Sequence, residues 1–203
     1  MGLHTYLDLK SVPQNIARIL ICYDALLQLR QKKVIAKTGT YVVARNVRNR
    51  TCRLPKSEQV DIALGKANKC EACALGTIFI ARTRIFNQLK VKDAGTTTEF
   101  GEISGSFISQ DLLTYFDMRQ LALIEGSFEG GKIGYCGDTL SYEDRKLVCR
   151  FAHKYKTVEA RLIAILKNII SNDGLFIPEK NLSRGRKKKV DKKETVVKEN
   201  QGE

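Results

Sequence analysis

The stretch Arg161-Leu-Ile-Ala-Ile-Leu-Lys-Asn-Ile-Ile-Ser-Asn-Asp-Gly174 decides the fold prediction. Its apolar residues recur every three or four positions, which is the spacing of an amphipathic helix that covers a core. Thr157 is a residue type that caps helix starts, and the end Asn172-Asp-Gly174 favours a left-handed exit, with Pro178 just beyond. The stretch therefore predicts the last helix of a folded body that ends near residue 178.

The chain changes character after this helix. Ser183-Arg-Gly-Arg-Lys-Lys-Lys189 is strongly basic, and Val190 to Glu203 has almost no apolar side chains to bury. We expect residues 179–203 to form a flexible, disordered basic tail. Nine Lys or Arg and five Asp or Glu lie from Glu179 onward, which leaves a net charge of +9 on residues 1–178 out of the chain's +13. A basic body of this kind favours contact with nucleic acid or another acidic surface.

The first half of the body predicts a helix followed by two strands. From Gln14 to about Gln31, apolar side chains recur at three-and-four spacing and predict one wide apolar helix face, formed by Ile16, Ile19, Leu20, Tyr23, Leu26 and Leu27. The short β-branched runs Lys33–Lys37 and Tyr41–Ala44 flank the turn Thr38-Gly-Thr40. We therefore expect a β-hairpin near residues 33–44 that packs on the helices.

Further helices are expected downstream, and the fold class follows from them. Leu75 to Leu89 has a helical apolar pattern, and residues 91–106 are rich in turn-forming types that predict a surface excursion. Other helices are predicted near Gln110 to Phe116, from an Asp117 cap through Phe128 with Gln120 completing a capping box, and over Tyr142 to Tyr155 after a Ser141 cap. The predicted fold is α+β and mainly α: about five helices around a short β-hairpin, in a single domain over residues 1–178.

Clusters of Lys and Arg are the clearest candidate functional residues. One cluster has no acidic residue within it, one forms a stripe at four-residue steps along a predicted helix, and one lies in the tail. Side chains of these types bind phosphates by charge and hydrogen bonds, although a single stripe is also typical of a solvated helix face. In chain order these residues are Arg45, Arg48, Arg50, Arg53 and Lys56, then Lys146, Arg150 and Lys154, then Arg184, Arg186, Lys187, Lys188 and Lys189.

A metal site is the weaker alternative, and no cofactor is expected. Cys70 and Cys73 have the spacing of half a zinc site, and Cys149 and His153 lie four residues apart on a predicted helix, where both could face one ion. No second pair with full ligand spacing completes the pattern, and a Cys that leads into an apolar helix is ordinarily a small buried hydrophobe. We therefore expect no metal, and keep these four residues as an alternative zinc set.

Catalytic residue patterns are sparse, which argues against an enzyme. The chain has two histidines, and no serine lies in a nucleophile elbow. Glu125 and Glu129 lie one helical turn apart and could be paired carboxylates, but that spacing is more typical of a solvated helix face. The glycines match neither a P-loop nor a dinucleotide-binding motif.

Three segments together resemble a family of small proteins encoded by phages and bacteria. They are Cys70-Glu-Ala-Cys-Ala-Leu-Gly76, then Arg119-Gln-Leu-Ala-Leu-Ile-Glu-Gly-Ser-Phe-Glu129, then the closing helix with Pro178. The resemblance covers residues 14–178 and implies a small helical domain of phage or mobile-element origin, with residues 91–106 as an insertion. It implies no activity, and its two polar positions, Glu125 and Asn168, could bond a neighbouring helix end as readily as a ligand.

The expected function follows from charge and from this resemblance. We expect a non-enzymatic phage-type accessory protein that binds nucleic acid or an acidic protein surface through its basic clusters. A protein–protein interaction module, such as a virion component or an inhibitor of a host defence complex, is the alternative, and a small zinc or thiol protein is a further one. No apolar run approaches the roughly 20 residues that span a bilayer, and no secretory signal is recognised, so the expected location is the host cytoplasm or the virion rather than a membrane.

Overall fold

A computed structural model describes residues 12–45, 69–86, 102–103, 105–131 and 139–179. This part of the chain is mainly helical with a small sheet, so the predicted α+β class is confirmed. The elements are α1 (Gln14–Arg30), β1 (Val34–Ala36), β2 (Val42–Arg45), β3 (Lys69–Ala72), α2 (Ala74–Phe86), β4 (Glu102–Ile103), α3 (Gly105–Leu112), α4 (Met118–Phe128), α5 (Tyr142–His153) and α6 (Val158–Ser171).

The closing helix α6 begins and ends as its sequence predicts. The Thr157 side chain accepts a hydrogen bond from the Ala160 N–H at 3.1 Å, which caps the helix start. After the helix, Asp173 and Gly174 adopt positive φ values of 54° and 83°. A Cβ on Gly174 would lie 2.8 Å from the backbone oxygen of Asn15, so this glycine also permits the end of α6 to meet the start of α1.

The capping predictions for α4 and α5 are confirmed, with one difference in detail. The Asp117 carboxylate accepts from the Gln120 N–H at 2.7 Å, but the Gln120 side chain does not return to the cap. It bonds the backbone of Phe176 instead, so the reciprocal half of a capping box is missing at α4. At α5 both halves are present, between Ser141 and Asp144.

The helix predicted near Gln110 to Phe116 lies earlier in the chain, as α3. Ile108 and Leu112, four residues apart, are both fully buried and place the helix over Gly105–Leu112. The next residues form a turn that brings Tyr115 and Phe116 into the core, where Tyr115 stacks on the Phe86 ring with 5.7 Å between centroids. The apolar pattern after Leu112 therefore comes from a buried turn and not from a helix.

The predicted β-hairpin is wrong in its strand pairing. Both strands and the turn near Gly39 form, but β3 lies between β1 and β2 in a sheet of order β1-β3-β2-β4. β1 runs parallel to β3, with Val34 opposite Cys70, while β2 runs antiparallel to β3, with Val42 opposite Ala72. The sequence Lys69-Cys-Glu-Ala72 has no β-branched or aromatic residue, so no strand is predicted there from its local pattern.

The last residues of the predicted surface excursion, which spans residues 91–106, belong to a strand and to a helix of the fold. Glu102–Ile103 forms β4, which pairs antiparallel with β2, and Gly105 begins α3. Residues 91–101 and 104 lie outside the described residues, as does residue 180 onward, where the tail is predicted.

The core is built mainly from phenylalanine and branched aliphatic side chains contributed by every helix. α1 packs between α2 and α6, and α4 packs against α2, α5 and α6. In the part of the chain that the structure describes, the fully buried phenylalanines are Phe79, Phe86, Phe116, Phe128, Phe151 and Phe176. Among the described residues, none of the helices is both long enough and apolar enough to cross a membrane.

Candidate binding surfaces

The predicted basic stripe on α5 is exposed. Lys146, Arg150 and Lys154 all reach solvent, while Val148 and Phe151 of the same helix are buried. Four-residue steps place successive cations roughly 6 Å apart along the helix axis. The stripe therefore presents a row of positive charge on one surface of the fold.

The three cations differ in whether they already form an ion pair. Lys146 lies 3.2 Å from a Glu143 carboxylate oxygen and 4.2 Å from the centre of the Tyr142 ring. Arg150 and Lys154 form no ion pair with any residue in the described part of the chain. Lys156, which is not one of the predicted binding residues, is also exposed and has no ion pair with any described residue. Arg150, Lys154 and Lys156 are thus the cations near this surface that can take up an anionic ligand without breaking an observed contact.

The order of charges along α5 also stabilises the helix itself. Glu143 and Asp144 lie in the first turn, and Arg150 and His153 lie in the last. Acidic groups at a helix start and basic groups at its end complement the helix dipole. The stripe therefore has a structural explanation that needs no ligand, and a binding experiment is required to separate the two roles.

Of the other predicted basic residues, only Arg45 lies within the described residues, and it is on β2 and not on α5. Arg45 is the last residue of β2, and its backbone pairs with Lys69 of β3. Arg48, Arg50, Arg53, Lys56, Arg184, Arg186, Lys187, Lys188 and Lys189 lie outside the described residues.

The alternative zinc set does not form. Cys70 lies on β3 and Cys73 just before α2, both buried, whereas Cys149 and His153 lie on α5. Across the described ranges, no group of three or more His, Cys, Asp or Glu side chains could hold a metal ion. Burial raises the pKa of Cys70 to about 11, so its thiol is protonated at neutral pH and is a poor nucleophile.

Glu125 and Glu129 are not a solvated helix face, so that interpretation of their spacing is wrong. Glu125 is only 4% exposed and accepts a hydrogen bond from the Tyr41 hydroxyl. Glu129 accepts from the backbone N–H of Gly39 at 3.0 Å. Burial raises the pKa of the nearby Cys73 thiol to about 12, and the two carboxylates add to that increase. The pair joins the end of α4 to the connection between β1 and β2.

The side-chain amide of Asn168 bonds the backbone of another segment, and the Gln120 amide does the same. The Asn168 amide donates to the Ile177 carbonyl and accepts from the Ile177 N–H, both at 2.8 Å. The Gln120 amide donates to the Phe176 carbonyl at 3.2 Å and accepts from the Phe176 N–H at 2.7 Å. Two amides from different helices thus hold consecutive backbone units of the segment after α6. A polar residue on the apolar face of a helix is the sequence signal for such a contact.

A buried ion pair links α2 to the end of α3. Arg82 Nη2 lies 3.2 Å from Asp111 Oδ1, and the Arg82 guanidinium is 5.8 Å from the Tyr115 ring centre. Burial raises the pKa of Asp111 to about 6, against the lowering effect of Arg82. The desolvation of this carboxylate therefore outweighs the attraction of its partner.

The outer face of α1 is an apolar surface that is exposed to solvent. Ile16, Tyr23 and Leu27 are 42%, 57% and 47% exposed. On the opposite side of the helix, Ile21 and Ala25 are fully buried. Most of the apolar face predicted for α1 therefore meets solvent or is half-buried, with Leu26 as its buried member, and the core is covered mainly by another side of the helix.

Similarity to known proteins adds no assignment to these surfaces. No protein-family model matches the chain, and neither a curated protein nor a solved structure is similar to it.

Proposed function

We propose that this protein is a non-enzymatic accessory protein of phage type that binds a polyanion, either nucleic acid or an acidic protein surface, through its basic clusters. The observation that supports the proposal most directly is the pair Arg150 and Lys154, which are exposed and have no ion pair among the described residues. The chain's net charge of +13 acts in the same direction, because it attracts acidic partners over long range. The phage-type origin rests on the sequence motifs alone and stays a prediction.

A binding titration tests the polyanion proposal. Fluorescence anisotropy would be measured with labelled double-stranded DNA, single-stranded RNA and polyglutamate, at low salt and at physiological salt. We expect binding at low salt that weakens steeply as salt is added, because each phosphate contact releases counterions. No binding of any of the three probes at low salt would contradict the proposal.

A matched pair of double variants separates a specific surface from net charge. Arg150→Gln with Lys154→Gln removes two cations from the stripe, and Lys33→Gln with Lys167→Gln removes two exposed cations elsewhere. We expect the first variant to lose about ten-fold in affinity at low salt and the second to lose much less, since direct phosphate contacts outweigh distant charge. Equal losses would assign binding to overall charge and not to α5.

The alternative function, a protein–protein interaction module, is supported by a different observation. The exposed apolar face of α1 is formed by large side chains at regular spacing, and apolar patches of this kind mark sites of protein interaction. The two functions use different surfaces, so each can be tested without disturbing the other.

A further inference from the structure

α1 is apolar on two opposite sides, although only one side packs on the core. Ile16, Leu20, Tyr23 and Leu27 follow one another at steps of four, three and four residues, the spacing of a helix-pairing seam. We call these four residues the outer stripe. Leu20 is half-buried, and the other three are exposed. A helix that is apolar all round is ordinarily covered all round, so the outer stripe has the composition of a covered surface.

The shape of this surface suits a helix. At its C-terminal half the outer stripe borders an open depression of about 430 Å³, lined by Tyr23, Asp24, Leu26, Leu27 and Arg30. From Ile16 to Leu27 the stripe extends roughly 16 Å, which is about three helical turns. A partner helix of three turns can lay its apolar side chains along the stripe and insert one into the depression.

The charge around the stripe selects the partner. Asp24 is the one acidic residue between residues 12 and 45, and its carboxylate already lies 3.3 Å from Arg84. Arg30 lines the depression, is exposed, and forms no ion pair with any described residue. Lys32 and Lys33 follow it and are exposed as well. The rim at this end is therefore positive, and it complements a partner with acidic residues.

We propose that the outer stripe docks an acidic amphipathic helix of another protein. This inference rests on the protein–protein alternative given above, and it names the chemistry of the partner. Leu and similar side chains of the partner would contact Ile16, Tyr23 and Leu27, while its Glu and Asp side chains would face Arg30 and the lysines beyond it. Helix-in-groove recognition of this kind places apolar anchors at three-and-four spacing on the bound helix.

A second copy of this chain fits the stripe less well. Each copy carries a net charge of +13, so pairing would bring two cationic rims together. A three-turn helix pair also offers much less than the roughly 1,200 Å² that stable protein interfaces bury. An acidic helix that orders on the stripe avoids the repulsion between two cationic rims and forms favourable charge contacts instead.

The test uses a labelled synthetic helix as the probe. A fluorescein-labelled peptide of about 20 residues would carry Leu at three-and-four spacing and Glu on both flanks, a length that spans the stripe with some excess. We expect micromolar binding to the full chain, reduced at least ten-fold by Tyr23→Ser with Leu27→Ser. Tyr142→Ser is the matched control, because Tyr142 is 71% exposed but lies on α5 and not on α1. Arg30→Gln should weaken binding several-fold and reduce its salt dependence, whereas Lys167→Gln should not.

Several outcomes would overturn the proposal. They are equal binding of a scrambled peptide of the same composition, tighter binding of a peptide with Lys in place of Glu, and no effect of the stripe variants. A concentration-dependent dimer in sedimentation, abolished by Leu27→Ser, would assign the stripe to a second copy. Binding to anionic phosphatidylglycerol vesicles that depends on Leu27, without peptide binding, would assign it to a lipid surface.

The same variants keep this proposal distinguishable from the polyanion proposal. Tyr23→Ser with Leu27→Ser should lose the peptide and retain DNA, and Arg150→Gln with Lys154→Gln should lose DNA and retain the peptide. Circular dichroism melts of each variant establish that it is folded, which is expected because all four substituted side chains are exposed.

Discussion

Asn168 and Gln120 hold the chain after α6 in the manner of a short β-ladder. Each side-chain amide donates to and accepts from one backbone unit, Ile177 for Asn168 and Phe176 for Gln120. The segment thereby satisfies its backbone groups without belonging to a sheet, and Phe176 is fixed in the core with its ring 5.2 Å from that of Phe151. The side chains at these two positions therefore stabilise the fold through these contacts.

Replacing Asn168 with Ala should therefore destabilise the protein. The change leaves the Ile177 N–H and carbonyl without their partners, so we expect the free energy of unfolding to fall by about 2–3 kcal/mol. Urea denaturation followed by circular dichroism measures the loss. Ser171→Ala, at an exposed position in the same helix, is the control and should change the stability by less than about 0.5 kcal/mol. A loss of similar size in both variants would show that the amide contacts contribute nothing specific.

Asp111 gives the fold a defined response to pH. Its pKa is about 6 in the folded protein, above the usual 3.8, because of burial. The folded state therefore binds this proton more tightly than the unfolded state does, and protonation stabilises the fold. This contribution is complete below about pH 3.8 and is lost as the pH rises through about 6.

Asp111→Asn should remove this response. As the pH is lowered from 7 to 5, protonation of Asp111 should raise the free energy of unfolding of the wild type by about 1 kcal/mol. The variant should lack this increase. The quantity to measure is the difference between wild type and variant in urea unfolding at each pH, because the other carboxylates contribute equally to both proteins. A difference that stays constant from pH 5 to pH 7 would contradict the assignment.

The helices with side-chain caps were predictable from sequence, and the pairing of the strands was not. Asp117, Ser141 and Thr157 mark the starts of α4, α5 and α6 through contacts made within three residues, so local sequence specifies them. β3 instead pairs with strands more than 20 residues before it, and its own residues have low β-propensity. Its place between β1 and β2 depends on this long-range pairing and on the packing of α2 against the sheet, neither of which a local pattern contains.

Gly76 is the position where that packing is tightest. A Cβ there would lie 1.8 Å from the Tyr41 backbone oxygen and 2.7 Å from the Val42 side chain, so α2 approaches β2 as closely as it does only because residue 76 is glycine. Gly76→Ala should lower the free energy of unfolding by about 3 kcal/mol or more, since neither helix nor strand backbone can yield cheaply.

Gly130→Ala is the control for this prediction. Gly130 has a positive φ of 80°, but its nearest added contact is a flexible Arg161 side-chain atom at 3.4 Å. Its substitution should cost about 1 kcal/mol through backbone strain alone. If urea denaturation gives Gly76→Ala a cost no greater than that of Gly130→Ala, the close approach of α2 to β2 does not constrain the fold.

Of the two candidate surfaces, one could be predicted from the sequence and the other could not. The α5 stripe follows from helical spacing and charge, so Lys146, Arg150 and Lys154 could be selected in advance. The exposure of the outer stripe on α1 could not be predicted, because apolar residues on both sides of a helix do not determine which side packs on the core. That choice is made by α2 and α6, which cover Ile21 and Ala25 and leave Tyr23 in solvent.

On the scale of the whole molecule, most of the excess charge lies outside the described residues. Those residues contain 17 Lys or Arg and 12 Asp or Glu, and so account for +5 of the total +13. If nucleic acid binds, the α5 stripe can supply only some of the phosphate contacts. The basic residues at 48–56 and 184–189 would supply others.

The salt dependence of DNA binding measures this division. In a plot of log affinity against log salt, each phosphate contact contributes a slope of about −0.9. Arg150→Gln with Lys154→Gln should make the slope shallower by about 2 and leave a substantial remainder. An unchanged slope would remove α5 from the interface, and a slope near zero would show that α5 alone binds the DNA.

The meeting of α1 with α6 has a consequence for the protein's synthesis on the ribosome. α1 packs against α2 and α6, and Gly174 lies against Asn15, so the first described helix contacts a helix that is translated more than 120 residues later. At roughly 5–20 residues per second, the interval between the two helices lasts on the order of ten seconds. During that interval the core face of α1 has no α6 to cover it, so part of that face is exposed on the nascent chain together with the outer stripe. The nascent chain is therefore at increased risk of aggregation until α6 has been synthesised, and a chaperone that binds it near α1 would reduce that risk.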